Sequence, residues 1–230
     1  MGVREERRIA RTAELLGAGM ELVVAEGLPG LTIGALAERV DAAVGALYRY
    51  FPSKTALIAA LQVRAVEELG EVVDAALARL DAADAADELR ALAGAVAVPH
   101  AYFRDLVAHP ARRLLINRSL AAPDPLLSDE EAERVDVALR PLLERATRGI
   151  AAAADAGLLD PGPAPARAMN AWAAVQGLSL FLLRDRLQPP ELRCERLVGP
   201  QLVGLLRGWG ADAESAERAV ALLERAGSRA

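Results

Sequence analysis

Between residues 32 and 54 the chain reads Thr-Ile-Gly-Ala-Leu-Ala-Glu-Arg-Val-Asp-Ala-Ala-Val-Gly-Ala-Leu-Tyr-Arg-Tyr-Phe-Pro-Ser-Lys. The side chains here that can do chemistry are hydroxyls and cations: Thr32, Tyr48, Arg49, Tyr50 and Lys54. They form no nucleophile–base pair. Their chemistry is recognition. Hydroxyls and ammonium groups hold phosphate oxygens, and a guanidinium can grip a guanine edge with two bonds worth about 1–3 kcal/mol. The elements that position them follow from the apolar spacing. Thr32 caps a short helix with Ile33, Leu36, Ala37 and Val40 inward, and Asp41 makes a tight corner. A second short helix turns Leu47 and Phe51 inward and leaves Tyr48, Arg49 and Tyr50 facing out. Pro52 stops it, and Ser53 caps the next helix. Two short helices at a steep angle, with an aromatic and basic outer face, suit the major groove of DNA.

The stretch resembles the TetR family of bacterial transcriptional regulators. The matching residues are Thr32, Leu36-Ala37, Gly45, Leu47-Tyr48, Tyr50-Phe51, Ser53-Lys54 and Leu57, with Ala25-Glu26-Gly27 at the end of the first helix. The match covers about the first quarter of the chain. It implies that Thr32 and Lys54 face phosphates, as helix amino termini with free N–H groups would favour. It also implies that Tyr48 and Tyr50 lie against the DNA backbone, and that Ala43, Val44, Gly45, Ala46, Tyr48 and Arg49 form the recognition face. Tyr50 can alternatively pack under the first helix. Three positions depart from the family pattern. Asp41 replaces a usual glycine, but aspartate tolerates the left-handed backbone. Ala43 replaces the usual serine or threonine, removing an N-cap worth about 1 kcal/mol. Ala46 replaces a threonine. Readout then leans on Arg49, on methyl contacts and on DNA shape. Arg4, Arg7, Arg8 and Arg11 either add phosphate contacts or pair with Glu5, Glu6 and Glu14.

The chain has 230 residues, 53 % hydrophobic and only 3 % aromatic, with a formal net charge of −5. That is enough apolar material for one larger core or two modest ones. Alanine and leucine dominate, which favours helices. An acidic total is unusual for a DNA binder. Residues 1–55 carry seven basic and seven acidic residues, so all the net negative charge lies beyond them. The one cysteine, Cys194, can form no internal disulfide, and a cytoplasmic protein is expected. The longest apolar run, 171–183, is too short to span a membrane. His100 and His109 lack a carboxylate cluster, so no metal site and no cofactor are expected.

The remaining chain reads as helices throughout, with no alternating strand pattern. A first helix spans about 4–25 with Ile9, Ala13, Leu16, Met20 and Val23 or Val24 as its stripe, and Gly27 ends it. A long helix runs from Ser53 to about Leu80 with Leu57, Leu61, Ala65, Leu69 and Val72 or Val73 inward. Helices follow over 88–107, with Pro99 kinking or dividing it, and over 111–120. Pro123-Asp124-Pro125 is a loop. Ser128 and Glu131 form a capping box that starts a helix to about 156, with Pro141 a kink. The last helices cover 164–187, 191–208 and 213–227. The expected fold is all-α: residues 1–55 a three-helix DNA-binding domain with a helix-turn-helix, residues 56–230 a helical domain.

The resemblance assigns ligand binding and dimerisation to that second domain. Phe103, Asn117, Met169, Trp172 and Gln176 are candidate lining residues for a small hydrophobic ligand, or plain core. Asn170 to Gly177 is similar to a Trp-x-x-x-His-Gly segment of some family members, with Gln176 in place of histidine. Dimerisation also has a physical motive, since two reading heads match a palindromic operator. Gly177, Leu178, Phe181, Leu182, Val198, Leu202, Leu205 and Leu206 are candidate interface residues, or internal core. The expected function is a ligand-released, homodimeric repressor. A regulator that dimerises or binds a protein without a small ligand is the alternative. An enzyme is not expected.

Overall fold

The computed structural model describes residues 2–121 and 127–227; the Pro123–Pro125 loop lies outside them. Among the described residues the regular elements are all helical. They are α1 (Val3–Gly30), α2 (Ile33–Arg39), α3 (Val44–Leu47), α4 (Lys54–Asp81), α5 (Asp87–Ala108), α6 (Pro110–Ala121), α7 (Asp129–Asp155), α8 (Ala164–Phe181), α9 (Cys194–Gly208) and α10 (Ala213–Gly227), with 3-10 turns at Leu182–Leu187 and Pro190–Leu192. The residues divide into two compact units. Unit 1 holds 1–67 and 109–138; unit 2 holds 68–108 and 139–230. Unit 1 is thus larger than residues 1–55, because Leu57, Ile58, Leu61 and Ala65 of α4 and Ala111 and Leu115 of α6 bury side chains in its core.

In unit 1, α1 meets its break where glycine permits it: Gly27 takes φ 70, and the helix kinks there. The stripe of α1 differs from the sequence reading. Leu15, Gly19, Leu22 and Val23 are buried, Leu16 and Met20 pack partly, and Ile9 and Val24 are exposed. The first three turns of α1 precede the core, so apolar spacing there has nothing to bury against. A Cβ on Gly19 would sit 3.3 Å from Leu61, so the glycine lets α4 close in. The α4 stripe matches expectation: Leu57, Leu61, Ala65, Leu69 and Val73 are fully buried. Leu115 of α6 completes this core, and Gln62 of α4 donates to its carbonyl at 3.0 Å.

In unit 2, α5 is buried on nearly every side from Leu92 to Leu106 and is packed by α8, α9 and α10. Pro99 lies inside α5 without dividing it. Gly94 of α5 meets Gly149 of α7 so closely that a Cβ on Gly149 would overlap the Gly94 backbone. Arg145 of α7 grips Asp74 of α4 with two bonds of 2.7 and 2.8 Å. The expected helix over 164–187 ends as α-helix at Phe181 and continues as a 3-10 turn. Asp185 in that turn caps α9, accepting the Cys194 N–H.

Candidate functional site

The helix-turn-helix forms as its residues dictate. Thr32 is extended, and its Oγ1 accepts the Ala35 N–H at 3.0 Å, so the hydroxyl keeps its own hydrogen to donate outward. Asp41 takes φ 47 at the corner, the left-handed conformation its residue type tolerates. Ala43 stands at the N-cap of α3 with no side-chain bond, and α3 is only four residues long. Leu36, Leu47 and Phe51 are buried beneath, which fixes α2 and α3 to α1 and α4. Arg39 ties α2 to α1 through Glu21 at 3.0 and 3.2 Å.

Above that core Thr32, Ala43, Val44, Gly45, Tyr48, Arg49 and Lys54 are exposed, with Tyr48 at 51 % and Val44 at 44 %. Ala46 is half-buried. Tyr50 is half-buried as well and packs on the apolar cluster rather than facing out freely, because it follows Leu47 by three residues and shares its inward side. The Lys54 ammonium reaches the Pro29 carbonyl at 3.4 Å, in the turn that leads to Thr32. Arg4 to Arg11 lie in regular turns of α1; Arg8 pairs with Glu5 at 3.7 Å and Arg11 with Glu14 at 2.5 Å.

Of the candidate lining residues, Asn117 is half-buried on α6 in unit 1, and the other four belong to unit 2. Met169 is 43 % exposed, and Phe103 is completely buried. Gln176 is buried and accepts a hydrogen bond from the Tyr102 hydroxyl; its amide donates to Ser179 Oγ at 3.0 Å. Burial pushes the Tyr102 phenol above its ordinary range, against a hydrogen bond from Trp172, while the Asp105 charge adds to the rise. Tyr102, Trp172, Gln176 and Ser179 therefore form one uncharged polar cluster between α5 and α8. Sequence reasoning found Trp172 and Gln176 but not their pairing with Tyr102, which lies 74 residues from Gln176. Ser179, one turn beyond Gln176, was the available signal.

Of the candidate interface residues, Val198, Leu202 and Leu206 are 4, 0 and 0 % exposed and belong to the chain's own core, since that face of α9 is already covered by α5, α8 and α10. Gly177, Leu178, Leu182 and Leu205 are half-buried, and Phe181 is 57 % exposed beside exposed Leu180, Leu183 and Leu187. Among the described residues, no three His, Cys, Asp or Glu side chains gather as a metal would need, and no helix is long and apolar enough to cross a membrane.

Residues 15–61 match the family model described as bacterial regulatory proteins, tetR family. Over 59 residues the chain is 41 % identical to the HTH-type transcriptional repressor KstR of Rhodococcus jostii, a match covering 26 % of this chain and 28 % of that protein. Two solved structures share the fold over most of their length. One, a protein with unknown function from Rhodococcus sp. RHA1, has a TM-score of 0.65 and 22 % identity over 86 % of this chain and 94 % of its own. The other is the regulator FadR of Bacillus subtilis in complex with stearoyl-CoA, with a TM-score of 0.64 and 15 % identity over 85 % of this chain and 98 % of its own.

Proposed function

We propose that the chain is a regulator of the TetR family, whose model its residues 15–61 match, and that it acts as a cytoplasmic, homodimeric repressor that a small apolar ligand releases from a palindromic operator. The observation that carries the DNA half is the exposed row of Thr32, Val44, Tyr48, Arg49 and Lys54 on helices anchored by Leu36, Leu47 and Phe51. Thr32 and Lys54 hold phosphates, Arg49 reads guanine, and Val44 with Ala43 and Ala46 meets thymine methyls. Gly45 lets the backbone approach, and Tyr48 and the outer edge of Tyr50 rest on the sugar-phosphate chain. One such head reads only a few base pairs, so two related by a twofold axis are needed for tight binding. The half-buried and exposed residues Gly177, Leu178, Phe181, Leu182 and Leu205 supply the apolar face for that pairing.

The ligand half rests on unit 2. Buried Phe103 and half-buried Trp172 offer apolar surface on α5 and α8, and Tyr102, Gln176 and Ser179 offer a neutral hydrogen-bonding handle for such a ligand. The stearoyl-CoA complex of the similarly folded FadR supports an apolar effector class. Ligand acts by favouring a conformation with lower operator affinity, so its own affinity must fall when operator is bound. Titrating a fatty acyl ligand into the protein with and without operator DNA tests this: weaker binding to the DNA complex is expected, and equal affinity rules the mechanism out. One observation favours a regulator without such a ligand. The Tyr102 cluster satisfies its own hydrogen bonds, as a purely structural core network would. A thermal-shift screen in which no apolar compound stabilises the protein decides for that reading.

A further inference from the structure

We propose that Glu131 is a positioning residue for DNA binding: it locks the first turn of α4, and with it Lys54, to the start of α7. The inference rests on the reading of Thr32–Lys54 as the DNA surface. Thr55 is the second residue of α4, and its hydroxyl donates to Glu131 Oε1 at 3.1 Å. A threonine hydroxyl has one hydrogen, so the 2.8 Å contact between Ser53 Oγ and Thr55 Oγ1 is donated by Ser53. Ser53 Oγ in turn accepts the Ala56 N–H at 2.9 Å. The first turn of α4 is therefore held by a directed chain from Ser53 through Thr55 to Glu131.

The other end of the carboxylate is equally committed. Glu131 Oε2 accepts the Ser128 N–H at 2.9 Å, and Ser128 Oγ accepts the Glu131 N–H at 3.3 Å, a closed capping box on α7. Such a box needs only one carboxylate oxygen. Here the second is spent on a residue 76 positions away, and the Glu131 side chain is buried. Burial alone would raise the Glu131 carboxyl; the bonds from Ser128 and Thr55 outweigh it and hold the group ionised. The first turn of α4 has no acidic residue of its own, so Glu131 supplies the negative charge that a helix amino terminus favours. Lys54 stands beside Thr55, and its direction toward a phosphate depends on how firmly this turn is set.

Thr55→Val removes the Glu131 bond while leaving the capping box and every charge in place, and Thr55→Ser keeps it. Amide hydrogen exchange of the full chain at Ala56 and Leu57, without DNA, is expected to quicken about tenfold in Thr55→Val and not in Thr55→Ser. Operator affinity is expected to fall about tenfold in Thr55→Val and to be restored in Thr55→Ser. In a Lys54→Ala background the same change is expected to have no further effect on affinity, because the lost contact is the one the turn positions. Unchanged exchange in Thr55→Val overturns the proposal, as do losses from Lys54→Ala and Thr55→Val that simply multiply. If the unaltered protein binds no operator, the DNA reading fails and takes the role in binding with it, while the exchange data still decide whether Glu131 sets the turn.

Discussion

His100 is 7 % exposed in the middle of α5, and burial, aided by the nearby Arg104 charge, lowers its pKa to about 4. The unfolded chain, with an ordinary value near 6.5, binds this proton first. Stability from the neutral histidine is complete above about pH 6.5 and is lost as pH falls toward 4. Urea unfolding at pH 7.5 and 4.5 checks this. The wild type should lose on the order of 3 kcal/mol more than His100→Gln over that interval, and parallel losses contradict the assignment. Cys194 carries the opposite lesson. Burial first, then the hydrogen bond to Asp185 and its charge, push the thiol up to about 12, so it stays protonated and unreactive near neutrality. At this scale the sequence was informative wherever chemistry is local. The Thr32 cap, the left-handed Asp41 and the uncapped Ala43 each follow from one residue type in one position. Tyr50 did not, because its environment is set by packing across helices.

Elements were legible where a helical period meets a core on one side, as in α4, whose five expected inward positions are all buried. The capping box at Ser128 and Glu131 was equally legible, but its bond to Thr55 joins residues far apart in sequence and had no local sign. The end of α8 was missed because Leu182–Leu187 has good helix formers; the chain tightens there so that Asp185 can cap α9. In α9 the period identified apolar faces but not which partner covers them, and Val198, Leu202 and Leu206 turned out to be internal. Helix pairing also depends on glycine where backbones touch. Gly149→Ala would drive a methyl into the Gly94 carbonyl, which cannot rotate away. It should destabilise the chain by about 1–3 kcal/mol, seen as a lower thermal midpoint; an unchanged midpoint would show that α5 and α7 can separate freely.

For the whole molecule, the charge distribution separates a neutral segment, residues 1–55, from an acidic remainder, so the proposed DNA binding would depend on where Thr32, Arg49 and Lys54 are placed rather than on net charge. Leu180, Phe181, Leu183 and Leu187 are exposed near the end of α8, and the proposed homodimer would cover them. The family match covers residues 15–61, whereas the proposed effector site and partner face rest on geometry within unit 2. The central claim is that the row from Thr32 to Lys54 binds an operator. Fluorescence anisotropy with the DNA upstream of the protein's own gene, at two salt concentrations and with Tyr48→Ala alongside, tests it most directly. Tight binding that weakens with salt and is lost in the variant is the predicted result. Binding no stronger than to random DNA, or retained in full by Tyr48→Ala, would contradict it.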